Sequence, residues 1–178
     1  MTLPSHQIET RSRKIKLLLL DVDGVLTDGS VTMYGDGTEA KTFSIRDGAA
    51  IVWAQASGLP VGLLTGRPSE VTNRRAAELG IAILANAGPD KQEAFAYLLR
   101  ERGLMETDVA YMGDDLLDLT VLRRAGLSAA PADAADEVRA VVHWVSRHAG
   151  GRGAVREFVE VLLKARGHWD SLVRTLST

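Results

Sequence analysis

The sequence predicts an α/β chain folded as a three-layer α/β/α sandwich, on three observations. Short aliphatic runs alternate with longer amphipathic ones, the pattern of a mainly parallel sheet with helices on both faces. The polar residues suited to chemistry cluster where the aliphatic runs end, which is where open α/β sheets keep their ligands. And 178 residues, 46% of them apolar, suffice to bury a full core as one domain.

In chain order, strands are expected at 16–20, 61–64, 81–84, 109–112, 127–130 and 142–145, and helices at 47–56, 70–79, 91–102, 116–125, 134–140 and 154–164. The last helix is the clearest, because Val155, Phe158, Val159, Leu162 and Leu163 fall on one stripe. This order is Rossmann-like, apart from one segment. Residues 30–34 and 40–43 flank Gly35, Asp36 and Gly37, which reads as a β-hairpin inserted after the first strand. Two strands alone are marginal in water, so the hairpin is expected to pack against something, in the simplest case as a flap on its own sheet. Residues 1–13 are expected to fray and 167–178 to form a polar tail, leaving 14–166 as the folded domain.

Composition narrows the partners. A net charge of −2 gives no basic footprint for nucleic acid. With no cysteine, disulfides and thiolate metal sites are excluded, in keeping with a reducing cytoplasm. The early apolar run is too short to span a bilayer, and the N-terminal segment lacks a signal peptide's apolar centre. A cytoplasmic chain without membrane or nucleic-acid partners is expected.

The most informative stretch begins at Leu17. Four leucines read as a buried strand and lead into Asp21, Val22, Asp23 and Gly24, so two carboxylates share one side of the strand's end if the chain stays extended. Such a pair repels itself when buried and needs a cation, a shared proton or solvent. Asp-Gly is also an ordinary turn, and the pair alone does not decide between turn and site. Three further elements tip the balance. A second aliphatic run ends in Thr65, Gly66 and Arg67; Lys91 opens a helix after the break at Gly88, Pro89 and Asp90; and a third run ends in Gly113, Asp114, Asp115 and, three residues on, Asp118. Each piece alone has an ordinary reading as a turn or a cap.

Together, and in this order, the four pieces resemble the haloacid dehalogenase-like phosphatases over about residues 14–163. The stretches FSIRDG at 43–48 and AGGRGAVRE at 149–157 narrow the likeness to a subgroup without a large cap domain that acts on sugar-acid phosphates. The resemblance implies an aspartyl-phosphate mechanism, with Asp21 as nucleophile and Asp23 as the acid that protonates the leaving oxygen and then activates water. It implies Mg²⁺ held by Asp21, Asp23 (through its main-chain carbonyl) and Asp114. Oxygen ligands without His or Cys suit a hard ion. Thr65, Gly66 and Lys91 are implied to bind the phosphoryl group, Asp118 to orient Lys91 or a metal-bound water, and Asp115 to cap or support.

Specificity is expected from outside this core. Arg46, Arg67 and Arg75 match substrate-contacting positions of the family, and Ser44, Ile45, Asp47 and Gly48 belong to the same loop. Arg152 lies within, and Arg156 just after, a glycine-rich loop that opens a helix, a setting suited to anions. One departure is evident: Ile51, Val52 and Trp53 offer no arginine where some family members have one after the FxxRDG loop. None of the four histidines falls in a motif, and Trp53, Trp144 and Trp169 are expected to pack. The resemblance also implies a homotetramer built around the hairpins, with Arg152 and the tail reaching a neighbour's site. The expected substrate is an eight-carbon sugar-acid phosphate; a nine-carbon one is the rival, and an inactive phosphatase-like assembly module is the alternative of another class.

Overall fold

A computed structural model describes residues 2–88 and 90–177, so the expected break at Pro89 lies outside the described residues. Six parallel strands form one sheet: β1 (Leu17–Leu20), β4 (Val61–Thr65), β5 (Ile83–Asn86), β6 (Val109–Met112), β7 (Leu127–Ala130) and β8 (Trp144–Val145). Their order across the sheet is β5-β4-β1-β6-β7-β8. The chain therefore leaves β1 to one side for β4 and β5, and to the other for β6, β7 and β8. That reversal opens a crevice at the carboxyl ends of β1, β4 and β6.

The leucines of β1 are all buried, and alternate faces divide them. Leu18 and Leu20 join Ile51, Phe158 and Leu162 on the face covered by α1 (Ser5–Ser12), α2 (Ile45–Ala56), α3 (Glu70–Glu78) and α7 (Ala154–Ala165). Leu17 and Leu19 join Phe95, Val121 and Val138 on the face covered by α4 (Lys91–Arg102), α5 (Leu119–Leu122) and α6 (Asp136–Val141). A strand buried on both faces has no polar alternation, which is why its sequence is a plain aliphatic run.

The predicted sandwich is thus observed, with local differences. Strand β5 begins at Ile83, because Ile81 still donates its N–H to Ala76 O to close α3. The helix expected at 116–125 is split into a 3-10 turn, Leu116–Asp118, and the short α5. The hairpin is reduced to β2 (Thr32–Met33) and β3 (Glu39–Ala40), paired antiparallel. Both expected tails are corrected. Residues 5–12 form α1, anchored by buried Ile8 and by Arg11 Nη1 donating to Gly126 O at 2.6 Å. Near the other end, α8 (Trp169–Leu176) lays Trp169 and Leu172 against the core. Among the described residues no helix is long and apolar enough to cross a membrane.

Candidate active site

The crevice brings the motif residues together. Asp21 directly follows β1 and its N–H donates to Met112 O of β6; Thr65 ends β4; Asp114 lies two residues past β6; Lys91 opens α4. A cavity of about 490 Å³ is lined by Asp21, Asp23, Gly29, Thr65, Gly66, Arg67, Gly88, Lys91, Asp114, Asp115, Leu117 and Asp118. Gly24 holds the first loop in a left-handed turn (φ 88°), and a Cβ there would lie 2.0 Å from Asp114 Oδ2. Only glycine lets the two loops approach this closely.

Three carboxylates converge here: an oxygen from each of Asp21, Asp114 and Asp118 lies within 4.8 Å of the others. One ammonium lies among them and offsets only part of their charge. Lys91 Nζ sits 2.8 Å from Asp21 Oδ1 and 2.7 Å from Asp118 Oδ1, almost wholly buried. Burial alone would push this ammonium down, but the charges of Asp21 and Asp118 outweigh it and hold it above the usual lysine value. Burial, reinforced by Asp118 and only partly offset by Lys91, raises Asp21 to about 6. Asp114 is raised to about 8, by burial first and then by Asp21 and Asp118.

Asp118 is fully committed. Its Oδ1 accepts from Lys91 and from the hydroxyl of buried Tyr111, while Oδ2 accepts the N–H of Asp114 at 2.9 Å and of Asp115 at 3.1 Å. Those two main-chain bonds tighten the 3-10 turn and split the expected helix. Asp115 caps that turn, its Oδ1 accepting from Leu116 N–H at 2.7 Å. Asp114 Oδ1, by contrast, is buried without a hydrogen-bond partner. An orphaned buried carboxylate oxygen is costly unless something ligates it. With Asp21 beside it, this all-oxygen donor set fits a hard divalent cation.

Asp23 lines the same cavity but does not join the converging trio. Lys41, which follows β3, places its Nζ 2.6 and 2.8 Å from the two carboxylate oxygens and 3.4 Å from Thr72 Oγ1. The sequence reading missed Lys41. Its only signal is the two-residue spacing from Glu39, which puts both on one side of an extended segment. Tyr111 was also missed; an aromatic hydroxyl inside an otherwise aliphatic strand was the available signal. Thr65 Oγ1 accepts from Arg67 N–H at 3.2 Å and so shapes the turn that exposes Gly66.

The expected specificity residues divide. Arg67 lines the cavity and pairs with Glu39 of β3. Arg46 and Ile45 are exposed at the start of α2. Ser44 caps α2, its Oγ accepting from Asp47 N–H. Asp47 is buried and instead caps α7, accepting from Gly153 N–H at 3.1 Å and Arg156 N–H at 2.7 Å. Arg75 is tucked beneath Gly48, where a Cβ would meet its Nη2 at 2.3 Å, and donates to Ser44 O. Neither Asp47, Gly48 nor Arg75 lines the cavity. Arg156 stacks on Trp53 and pairs with Glu160. Arg152 stays exposed, 3.6 Å from Asp28 of its own first loop, while Gly151 N–H donates to Val25 O of that loop.

Comparison with known proteins agrees with this geometry. The family model for haloacid dehalogenase-like hydrolases matches residues 79–158. The 3-deoxy-D-manno-octulosonate 8-phosphate phosphatase KdsC of Salmonella typhi is 43% identical over 93% of this chain and 88% of its own. A crystal structure of a probable YrbI family phosphatase from Pseudomonas syringae superposes with a TM-score of 0.94 at 42% identity, over 97% of this chain and 98% of the other. That of the Moraxella catarrhalis 3-deoxy-D-manno-octulosonate 8-phosphate phosphatase, in complex with magnesium, phosphate and the sugar acid, does so with a TM-score of 0.93 at 37% identity, over 96% and 98%. The chain belongs to the haloacid dehalogenase-like hydrolases. Within them it resembles the 3-deoxy-D-manno-octulosonate 8-phosphate phosphatases.

Proposed function

We propose that this protein is a Mg²⁺-dependent phosphatase that hydrolyses 3-deoxy-D-manno-octulosonate 8-phosphate to the free sugar acid and phosphate, a step toward lipopolysaccharide. The observation that carries the reading is the ammonium of Lys91 wedged between Asp21 and Asp118, beside the orphaned oxygen of Asp114. Asp21 and Asp114, with the main-chain carbonyl of Asp23, would hold the cation. Bound there, Mg²⁺ supplies positive charge to the phosphoryl oxygens and lets an anionic ester approach an anionic nucleophile.

The remaining chemistry falls to side chains. Asp21 attacks phosphorus, forming an aspartyl-phosphate as the ester oxygen leaves. Asp23 gives that oxygen a proton and later takes one from the attacking water. Thr65, Gly66 and Lys91 bind the phosphoryl oxygens, where developing charge needs donors that are already in place. Arg67, lining the cavity, and the exposed Arg46 and Arg152 are the guanidiniums we assign to the sugar acid's carboxylate. Among relatives, those named for the eight-carbon substrate favour it over a nine-carbon sugar-acid phosphate.

The reading extends to assembly in the cytoplasm as a homotetramer. The hairpin leaves Val31, Met33 and Tyr34 exposed, an apolar face that hairpins of neighbouring copies would cover. Comparing kcat/KM on the eight- and nine-carbon phosphates, with and without chelator, tests the function; the eight-carbon ester should be preferred and activity should need Mg²⁺. No turnover of either would leave an assembly module as the better reading. Light scattering tests the assembly.

A further inference from the structure

Lys41 is a buried cation on an otherwise thin element. Its side chain is inaccessible to solvent, although β2 and β3 are each only two residues long. Burying an ammonium is unfavourable unless its partners are close and well placed. Here the partner is Asp23, both of whose oxygens lie within 2.8 Å of Nζ, with Thr72 Oγ1 as a third contact. Two residues earlier, Glu39 reaches the same rim, pairing with Arg67 and accepting from Ser69 Oγ, the N-cap of α3. The hairpin is therefore fastened to the cavity at two points, and one of them is the carboxylate assigned above to proton transfer.

We infer that Lys41 is a positioning residue: it fixes the orientation of the Asp23 carboxylate toward the leaving oxygen, so that the hairpin takes part in proton transfer. This rests on the reading of Asp23 as the general acid. Two contacts to one ammonium leave the carboxylate little rotational freedom, and proton transfer depends on that orientation. An aspartate held only by solvent would sample several rotamers.

The test uses leaving groups that need protonation to different degrees. kcat/KM is measured for a series of aryl phosphates, from 4-nitrophenyl to unsubstituted phenyl, on the full-length wild type and on Lys41→Met, Lys41→Arg, Asp23→Asn and the Asp23→Asn, Lys41→Met double variant. Lys41→Met should slow phenyl phosphate on the order of tenfold or more and 4-nitrophenyl phosphate far less. Lys41→Arg should restore most of the loss, and Lys41→Met should add nothing to Asp23→Asn. Lys41→Gln on the same series replaces Lys41→Met if the latter does not fold. A uniform loss across the series, or one additive with Asp23→Asn, overturns the inference. So does a rise in KM for the sugar-acid phosphate at unchanged kcat, which would make Lys41 a substrate ligand. A steep series in Asp23→Asn beside a shallow one in Lys41→Met overturns the Lys41 role alone; a shallow series in Asp23→Asn overturns the general-acid reading itself.

Discussion

Asp21 and Asp47 are both buried aspartates whose carboxyl groups burial pushes up, yet their surroundings differ in kind. Asp47 spends its two oxygens on the N–H groups of Gly153 and Arg156, satisfying donors that the first turn of α7 cannot pair itself. Asp21 faces Asp114 and Asp118, with a single lysine between the charges and a neighbouring oxygen left without a partner. Saturation marks an architectural carboxylate, and unresolved charge marks one that awaits a ligand. Both stand in motifs that a sequence reading treats alike.

The largest effect that can break this contrast comes from the lysine. Lys91→Met leaves two buried carboxylates without their cation and should cost about 3 kcal/mol of stability, softened because Asp21 can take up a proton. Thermal melting should fall by roughly 6–12 °C and turnover should be lost. An unchanged melting temperature would show that the trio is not under electrostatic strain.

A cation should relieve that strain in a pH-dependent way. With Asp21 at about 6 and Asp114 at about 8, the cation-free fold keeps protons that the unfolded chain releases near pH 4. Its stability is therefore fully present at acid pH and is lost as pH rises through 6 toward 8. Added Mg²⁺ should raise the melting temperature more at about pH 8 than at about pH 6, and chelation should abolish turnover. A larger gain at the acid end would contradict the assignment.

Asp47→Ala sharpens the other side. It removes two charge-assisted bonds from the start of α7 and should cost about 2 kcal/mol, or roughly 4–8 °C. Hydrolysis of 4-nitrophenyl phosphate should stay within a fewfold of wild type. Loss of that activity without loss of stability would return Asp47 to the site.

The smallest effect lies farthest away. His143 Nδ1 accepts the N–H of Ser128 at 2.9 Å, and burial, with the charge of Arg11, lowers the imidazole's pKa. Because the unfolded histidine protonates near 6.5 and the folded one resists, this contribution is present above that pH and is lost as pH falls below it. His143→Gln should flatten the melting temperature between about pH 7 and 5; an unchanged slope would exclude the bond as its source.

The same contrast explains what was legible in the sequence. Strands 109–112 and 127–130 and helix 91–102 have the expected bounds, because burial on both faces or a capped start leaves a local signature. The trio at the strand ends was legible through residue type and order. Partnerships across the chain were not: Asp47 meets α7 at a separation of 106 residues, and Arg75 passes beneath Gly48. FSIRDG caps the helix that AGGRGAVRE opens, through Asp47, a link that no local pattern reveals. Helix α8 was read as a polar tail, although Trp169, Leu172, Val173 and Leu176 follow helical spacing. Helix α1 was not legible, having one buried apolar residue.

The central claim is that Asp21 trades stability for chemistry and Asp47 does not, and a paired measurement on Asp21→Asn and Asp47→Ala tests it most directly. Melting temperature in chelator and turnover with Mg²⁺ are read on the same preparations. The account predicts a crossing: Asp21→Asn melts no lower than wild type, and slows turnover on the order of 10³-fold or more, because an amide cannot form the acyl phosphate. Asp47→Ala melts lower and still turns over 4-nitrophenyl phosphate. Near-normal turnover by Asp21→Asn, with the stability loss falling on that variant, would contradict the account.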